Sequence, residues 1–171
     1  VQKLLFLLCG SSDSAYISKE GKVISVHHAG AGEMVTLLIK SELGLEDYNL
    51  AEDIKMYPLA KVESLFNIRY EDGSVCFFQT PLNPSLFARN VVVKENEMIP
   101  IPTKHSMEKI RMVRREAKKK VFLTNILRAL KDVAPNHNLR AIDFVVLVGG
   151  SSLDFEIPDM ISDELSHYSI V

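Results

Sequence analysis

Cysteine is scarce, with Cys9 and Cys76 the only two in 171 residues. They cannot build a disulfide framework and do not form a Cys-x-x-Cys pair, so a reducing compartment, by default the cytoplasm, is expected. Basic excess is also missing: 20 Lys and Arg against 22 Asp and Glu leave a net charge of −2. That argues against a duplex-binding protein. Long apolar runs are absent too. Lys3 precedes only five such residues, Leu4-Leu5-Phe6-Leu7-Leu8, short of the roughly 7–15 of a secretory signal core and the roughly 20 of a membrane span. Leu8 before Cys9 is not the small residue of a lipoprotein cleavage site, so a buried strand is the better reading. With 8 Gly and 7 Pro, neither a disordered tail nor a fibrous repeat fits. No Ser-His-Asp grouping, Walker-type glycine loop or His-Glu-x-x-His pattern occurs.

What is present reads as one soluble domain or one lobe of something larger: 47% hydrophobic and 25% charged residues over a length near the ~150 residues of a typical domain. The chain begins on Val1 rather than methionine, which raises the expectation of a longer sequence cut there. Leu4–Leu8, a small-residue turn Cys9–Asp13, Ser14–Ile17 and then Val23–His28 predict a three-stranded meander. After Ala29-Gly30-Ala31-Gly32 the period changes. Met34, Leu37, Leu38 and Ser41 predict a helix that Gly44 stops, and Leu50–Tyr57 a short one ended by Pro58. Hairpins are expected around Glu71-Asp72-Gly73 and Glu95-Asn96-Glu97, with Pro100 and Pro102 marking an edge. Ser106 caps a long helix to about Val133, whose stripe runs Ile110, Val113, Ala117, Val121, Thr124, Leu127, Leu130, Ala134. Phe144–Val148 predicts a strand buried on both faces. Gly149-Gly150-Ser151-Ser152 turns the chain into a helix opened by Pro158, and Tyr168 starts a further strand.

Three places could carry chemistry. Gly149 and Gly150, at the end of a buried strand and before a helix, let backbone amides approach a phosphate or nucleoside; a packing turn is the alternative. Cys9-Gly10-Ser11-Ser12-Asp13 is rich in small donors beside an acid and suits phosphate oxygens and magnesium, or Asp13 simply caps a bend. Glu52 and Lys55, three apart on one helical face, could bond both hydroxyls of a ribose, or form only a surface ion pair. The basic residues Lys109, Arg111, Arg114, Arg115, Lys118, Lys119 and Lys120 read as a solvated helical face, or as a surface for nucleic acid, an acidic lipid surface or an acidic partner protein. Without interleaved aromatics, nucleic acid fits them least. His27 and His28 point to opposite strand faces, so no shared metal site is expected.

In this order the elements resemble the second half of an actin-like ATPase of the heat-shock chaperone kind. More narrowly, three segments resemble the large-subunit family of the diol/glycerol dehydratase reactivases: His28-Ala29-Gly30-Ala31-Gly32-Glu33-Met34-Val35-Thr36, Lys55-Met56-Tyr57-Pro58-Leu59-Ala60-Lys61-Val62-Glu63-Ser64-Leu65, and Val145 through Gly149-Gly150-Ser151-Ser152-Leu153-Asp154-Phe155-Glu156-Ile157-Pro158. The resemblance implies an α/β architecture with α+β elements: one lobe of an actin-like, ribonuclease-H-like ATPase, with residues 1–43 and 106–171 as the main subdomain and 44–105 as a smaller inserted one. It implies a cytoplasmic chaperone that uses ATP and ADP with magnesium to release damaged adenosylcobalamin from a dehydratase. Its partners would be a small reactivase subunit, the cobalamin-dependent dehydratase and a missing N-terminal ATPase lobe, with neither nucleic acid nor membrane. Carried over, Gly149, Gly150 and Ser151 approach the nucleotide, Glu52 and Lys55 hold its adenosine part, and Ser11, Ser12 and Asp13 belong to the second phosphate loop. No residue is assigned a catalytic or metal-ligating role.

The departures are specific. Where the family's second phosphate loop opens with an acid, this chain has Phe6, and Leu8 replaces a glycine. Leu153 stands where heat-shock relatives place arginine, a version the reactivases share. Weak or no ATP turnover by this polypeptide alone is therefore expected, because the nucleotide in this fold lies between two lobes. The competing reading is a nucleotide-independent interaction module, or a truncated remnant of that subunit.

Overall fold

A computed structural model of the chain describes residues 4–8, 12–17, 21–28, 32–134, 137–142, 144–148, 150–168 and 170. Its described residues form two compact units, residues 1–35 with 118–171 and residues 36–117.

The first unit carries β1 (Leu4–Leu8), β2 (Ser12–Ile17), β3 (Val23–His28) and β9 (Phe144–Val148) in one sheet of order β3-β2-β1-β9. The expected meander is there: β1 pairs antiparallel with β2, and β2 with β3. β9 joins β1 in parallel, Leu8 opposite Val148. Burial of β9 on both faces is not found. Val146 and Val148, on one face of the strand, are each 37% exposed, and β9 is an edge of its sheet among the described residues. Apolar composition reports a preference for burial; it does not supply the covering element.

The long helix forms as α3 (Met107–Lys118), a π-helical turn (Lys119–Leu123) and α4 (Thr124–Val133). Ser106 caps it, its Oγ accepting from the Lys109 amide at 3.2 Å. The π turn corrects the expected stripe. One extra residue in that turn shifts the phase after it by about 100°, so Thr124 is exposed and Leu127 half-buried; Leu130 and Ala134 are buried as the stripe predicts, and Asn125, Ile126, Ala129 and Val133 are buried with them. α4 lies against β2 and β3. After β9 comes a 3-10 turn (Gly150–Leu153), then α5 (Ile157–Ser166), which packs on the π turn. Tyr168 lies in a turn, its amide bonded to Leu165 O at 2.9 Å, and not in the expected strand; residues 169 and 171 lie outside the described residues.

In the second unit β4 (Leu59–Ser64), β5 (Asn67–Tyr70), β6 (Val75–Phe77), β7 (Asn90–Val93) and β8 (Met98–Pro100) make an antiparallel sheet of order β6-β5-β4-β7-β8. Both expected hairpins are found. Gly73 sits at φ 90° in one turn, and β8 with Pro100 is an edge. The centre of the sheet is β4, where Ala60-Lys61-Val62-Glu63 alternates inward and outward, and Leu65 and Phe66 form the turn after it. Ala60, Val62, Ile68 and Val91 are fully buried at its core. α1 spans Gly32–Leu43. Gly44 ends it at φ 63° in a Schellman motif: the Leu45 amide bonds Lys40 O at 2.9 Å and the Gly44 amide bonds Ser41 O at 3.2 Å. α2 (Tyr48–Met56) follows.

Candidate functional site

α2 forms because Asp47 caps it, its side chain accepting from the Asn49 amide at 2.8 Å, and because Pro58 prevents its extension. Leu50, Ala51 and Ile54 face inward. Glu52 and Lys55 are thereby brought onto one face, as their spacing predicts, with Lys55 Nζ 2.6 Å from Glu52 Oε1 and 2.7 Å from Oε2. Their side chains are 34% and 12% exposed, so the pair is not a freely solvated surface bridge. Thr36 on α1, fully buried, joins it: its hydroxyl donates to Glu52 Oε2 and accepts from Lys55 Nζ at 3.0 Å.

α2 is itself braced on two sides. Lys94 Nζ lies 2.9 Å from Asp53 Oδ1 and 5.4 Å from the centre of the Tyr57 ring. The hydrogen bond to Asp53 holds the Lys94 ammonium above its ordinary pKa against the opposing effect of desolvation. Arg114, wholly buried, bonds Glu71 Oε2 at 2.6 Å and donates to the carbonyls of Ile54 and Tyr57 at 3.5 and 3.3 Å. A cation there satisfies carbonyls that the end of the helix leaves open. Glu71 Oε1 accepts from the Leu59 amide at 3.0 Å, tying the same node to β4.

The second candidate, the turn after β9, falls partly outside the described residues: Gly149 and Ser11 lie there. Gly150 and Ser151 begin the 3-10 turn. Ser12 and Asp13 are the first two residues of β2, opposite His28 and His27, and not part of a loop as the sequence suggested. What holds the segment after the glycines is Lys118. Its ammonium bonds Asp154 at 2.8 and 2.9 Å and Glu156 Oε2 at 2.8 Å, with the Phe155 ring centre 4.7 Å away. Asp154 Oδ1 also accepts from the amides of Glu156 and Ile157 at 2.9 and 3.1 Å, which pins the start of α5.

The basic face is corrected accordingly. Lys109, Arg111, Lys119 and Lys120 are exposed, but Arg114 and Lys118 are fully buried and engaged. Sequence reasoning missed both, together with Thr36, Glu71, Asp154 and Glu156. A signal for the two cations existed: they fall four and eight residues after buried Ile110, alongside Ala117 and Val121. Among the described residues no three His, Cys, Asp or Glu side chains converge to hold a metal ion. Nor, among them, is any helix long and apolar enough to cross a membrane.

A family model described as "Diol dehydratase reactivase ATPase-like domain" matches residues 3–171. The chain is 58% identical over 168 residues to the propanediol dehydratase-reactivating factor large subunits of Citrobacter freundii and Salmonella typhimurium, and to the diol dehydratase-reactivating factor large subunit of Klebsiella michiganensis. Each match covers 98% of this chain and 28% of the relative, so the chain spans little more than a quarter of their length. A solved glycerol dehydratase reactivase superposes with a TM-score of 0.93 at 59% identity over 98% of this chain and 28% of its own. A diol dehydratase-reactivating factor in nucleotide-free form gives 0.92 at 58% over 99% and 28%. The archaeal actin homologue Ta0583 shares the fold alone, with a TM-score of 0.50 at 13% identity over 98% of this chain and 41% of its own. With the family model matched from residue 3 to the last, this mixed helix-and-sheet, actin-like chain belongs to the diol dehydratase reactivase ATPase-like domain family.

Proposed function

We propose that this chain is the ADP- and ATP-binding part of a cytoplasmic chaperone that reactivates an adenosylcobalamin-dependent diol or glycerol dehydratase by releasing damaged cofactor. It works with a small reactivase subunit and a second ATPase lobe, and its own turnover of ATP is weak or absent. What supports the role is the 58% identity to dehydratase-reactivating factor large subunits across 98% of the chain. What supports the nucleotide site is the Glu52–Lys55 pair, anchored and still reachable from solvent. In this reading the pair holds the ribose hydroxyls. Backbone at Gly149, Gly150 and Ser151 approaches the nucleotide, and Ser11, Ser12 and Asp13 meet its phosphates.

One observation favours the alternative of a nucleotide-independent interaction module. At the stretch that the resemblance aligns with the family's second phosphate loop, an acid is replaced by Phe6, which can neither hold magnesium nor orient a water, and a glycine by Leu8. Titration with a fluorescent adenine nucleotide, with and without magnesium, separates the two. Saturable binding that Gly150→Val removes supports the chaperone component. A flat response favours the interaction module, and an affinity unchanged by Gly150→Val defeats the proposed backbone contact at Gly150.

A further inference from the structure

Thr36 is a costly residue to place where it is. Its side chain is 0% exposed, and a buried hydroxyl loses its water unless another group replaces it. In mid-helix a threonine ordinarily bonds the carbonyl one turn back. Here the proton goes to Glu52 Oε2 on another helix, and the oxygen accepts from Lys55 Nζ at 3.0 Å. With Lys55 Nζ 2.6 and 2.7 Å from the two oxygens of Glu52, the three groups close a ring. An ion pair at i, i+3 by itself leaves two long side chains mobile; a third group on a second element removes that freedom. Exposure rises along the ring, from Thr36 at 0% to Lys55 at 12% and Glu52 at 34%. The hydroxyl is the floor and the carboxylate the rim.

We propose that Thr36 is a positioning residue, fixing Glu52 and Lys55 so that they receive the vicinal hydroxyls of a ribonucleoside. This rests on the nucleotide reading above. By engaging Oε2 from below, the hydroxyl sets the direction in which the remaining lone pairs of Glu52 face solvent. Two hydroxyls held at a fixed spacing need that direction constant, whereas a single hydroxyl tolerates its drift. Thr36 therefore governs discrimination between ribo- and deoxyribonucleotides more than it governs affinity.

The test compares the chain with Thr36→Val, which keeps the shape and removes the hydroxyl, and Thr36→Ser, which restores it. Titrated with ATP and 2′-deoxy-ATP, Thr36→Val is expected to lose about three- to tenfold in ATP affinity, the span of one hydrogen bond. It should lose much less for 2′-deoxy-ATP, while Thr36→Ser keeps the wild-type ratio. No loss, or equal losses for both nucleotides, overturns the proposal. A second readout needs no nucleotide: the NMR signal of the Lys55 ammonium, assigned through Lys55→Arg. It should broaden and shift in Thr36→Val and return in Thr36→Ser. If wild-type protein binds neither nucleotide, the nucleotide reading fails and takes the ribose role with it, whereas an unchanged Lys55 signal shows that Thr36 positions nothing.

Discussion

Four residues apart on one helix, each of the two units buries a cation completely, Arg114 in the second and Lys118 in the first. They solve the problem of a buried charge in different ways. The guanidinium of Arg114 spreads over one carboxylate and two carbonyls, joining α3 to the end of α2 and to Glu71. Its planar fork gives each bond a direction. Arg111, 3.7 Å from the same carboxylate, adds a second positive charge at the margin. Lys118 is a point charge between two carboxylates and a ring face. Two carboxylates thus share this one ammonium, and Asp154 is further bonded by the amides at the start of α5. The arginine organises directions; the lysine neutralises.

That contrast sets the order of effects. Lys118→Met takes the shared ammonium away from two carboxylates, Asp154 at 12% and Glu156 at 5% exposure, and should cost about 3–5 kcal/mol in urea unfolding, the range for breaking a buried pair. Adding Glu156→Gln to it should recover part of that loss. Arg114→Met strands one carboxylate, which Arg111 can partly serve, so a loss of about 2–3 kcal/mol is expected. If Arg114→Met proves the more damaging, the number of carboxylates sharing a cation does not decide the ranking and the directional bonds to α2 do. Arg114→Lys sharpens the point. It keeps the charge and loses the fork, and should cost about 1–2 kcal/mol; a neutral result would mean that geometry at this node is immaterial.

The same two cations show where reading the sequence stopped. Local periods carry element type, so the first meander, α1 with its Gly44 stop and the Glu71-Asp72-Gly73 hairpin were all legible. Charge type, by contrast, suggests solvent. The sequence alone places Arg114 and Lys118 among the residues of a basic face, because their partners, Glu71, Asp154 and Glu156, lie between 36 and 43 residues away. The π turn was hidden for a related reason: a single inserted residue leaves the apolar composition unchanged and shifts only its phase. The Glu52–Lys55 pair was legible from spacing alone, but its anchor Thr36 was not, being 16 residues from Glu52 and on a different helix.

The exposed pair Arg69–Glu63 completes the comparison and predicts the smallest effect. It has the better fork, with Arg69 Nε and Nη2 2.7 and 3.3 Å from the two oxygens of Glu63, yet its side chains are 47% and 34% exposed. The hydrogen bond from Arg69 holds the Glu63 carboxyl below its ordinary pKa of 4.5, partly opposed by desolvation. A carboxyl depressed by folding adds stability that is present above its unfolded value and lost as the pH falls through its folded value. Water and salt screen both partners, so the gain should be far smaller than at either buried cation. Wild-type protein should therefore lose slightly more stability than Glu63→Gln between about pH 6 and pH 3, and the two should converge at the acid end. Parallel curves would show that the fork contributes nothing once water reaches it. A difference as large as that of Lys118→Met would show that burial is not what separates these ion pairs.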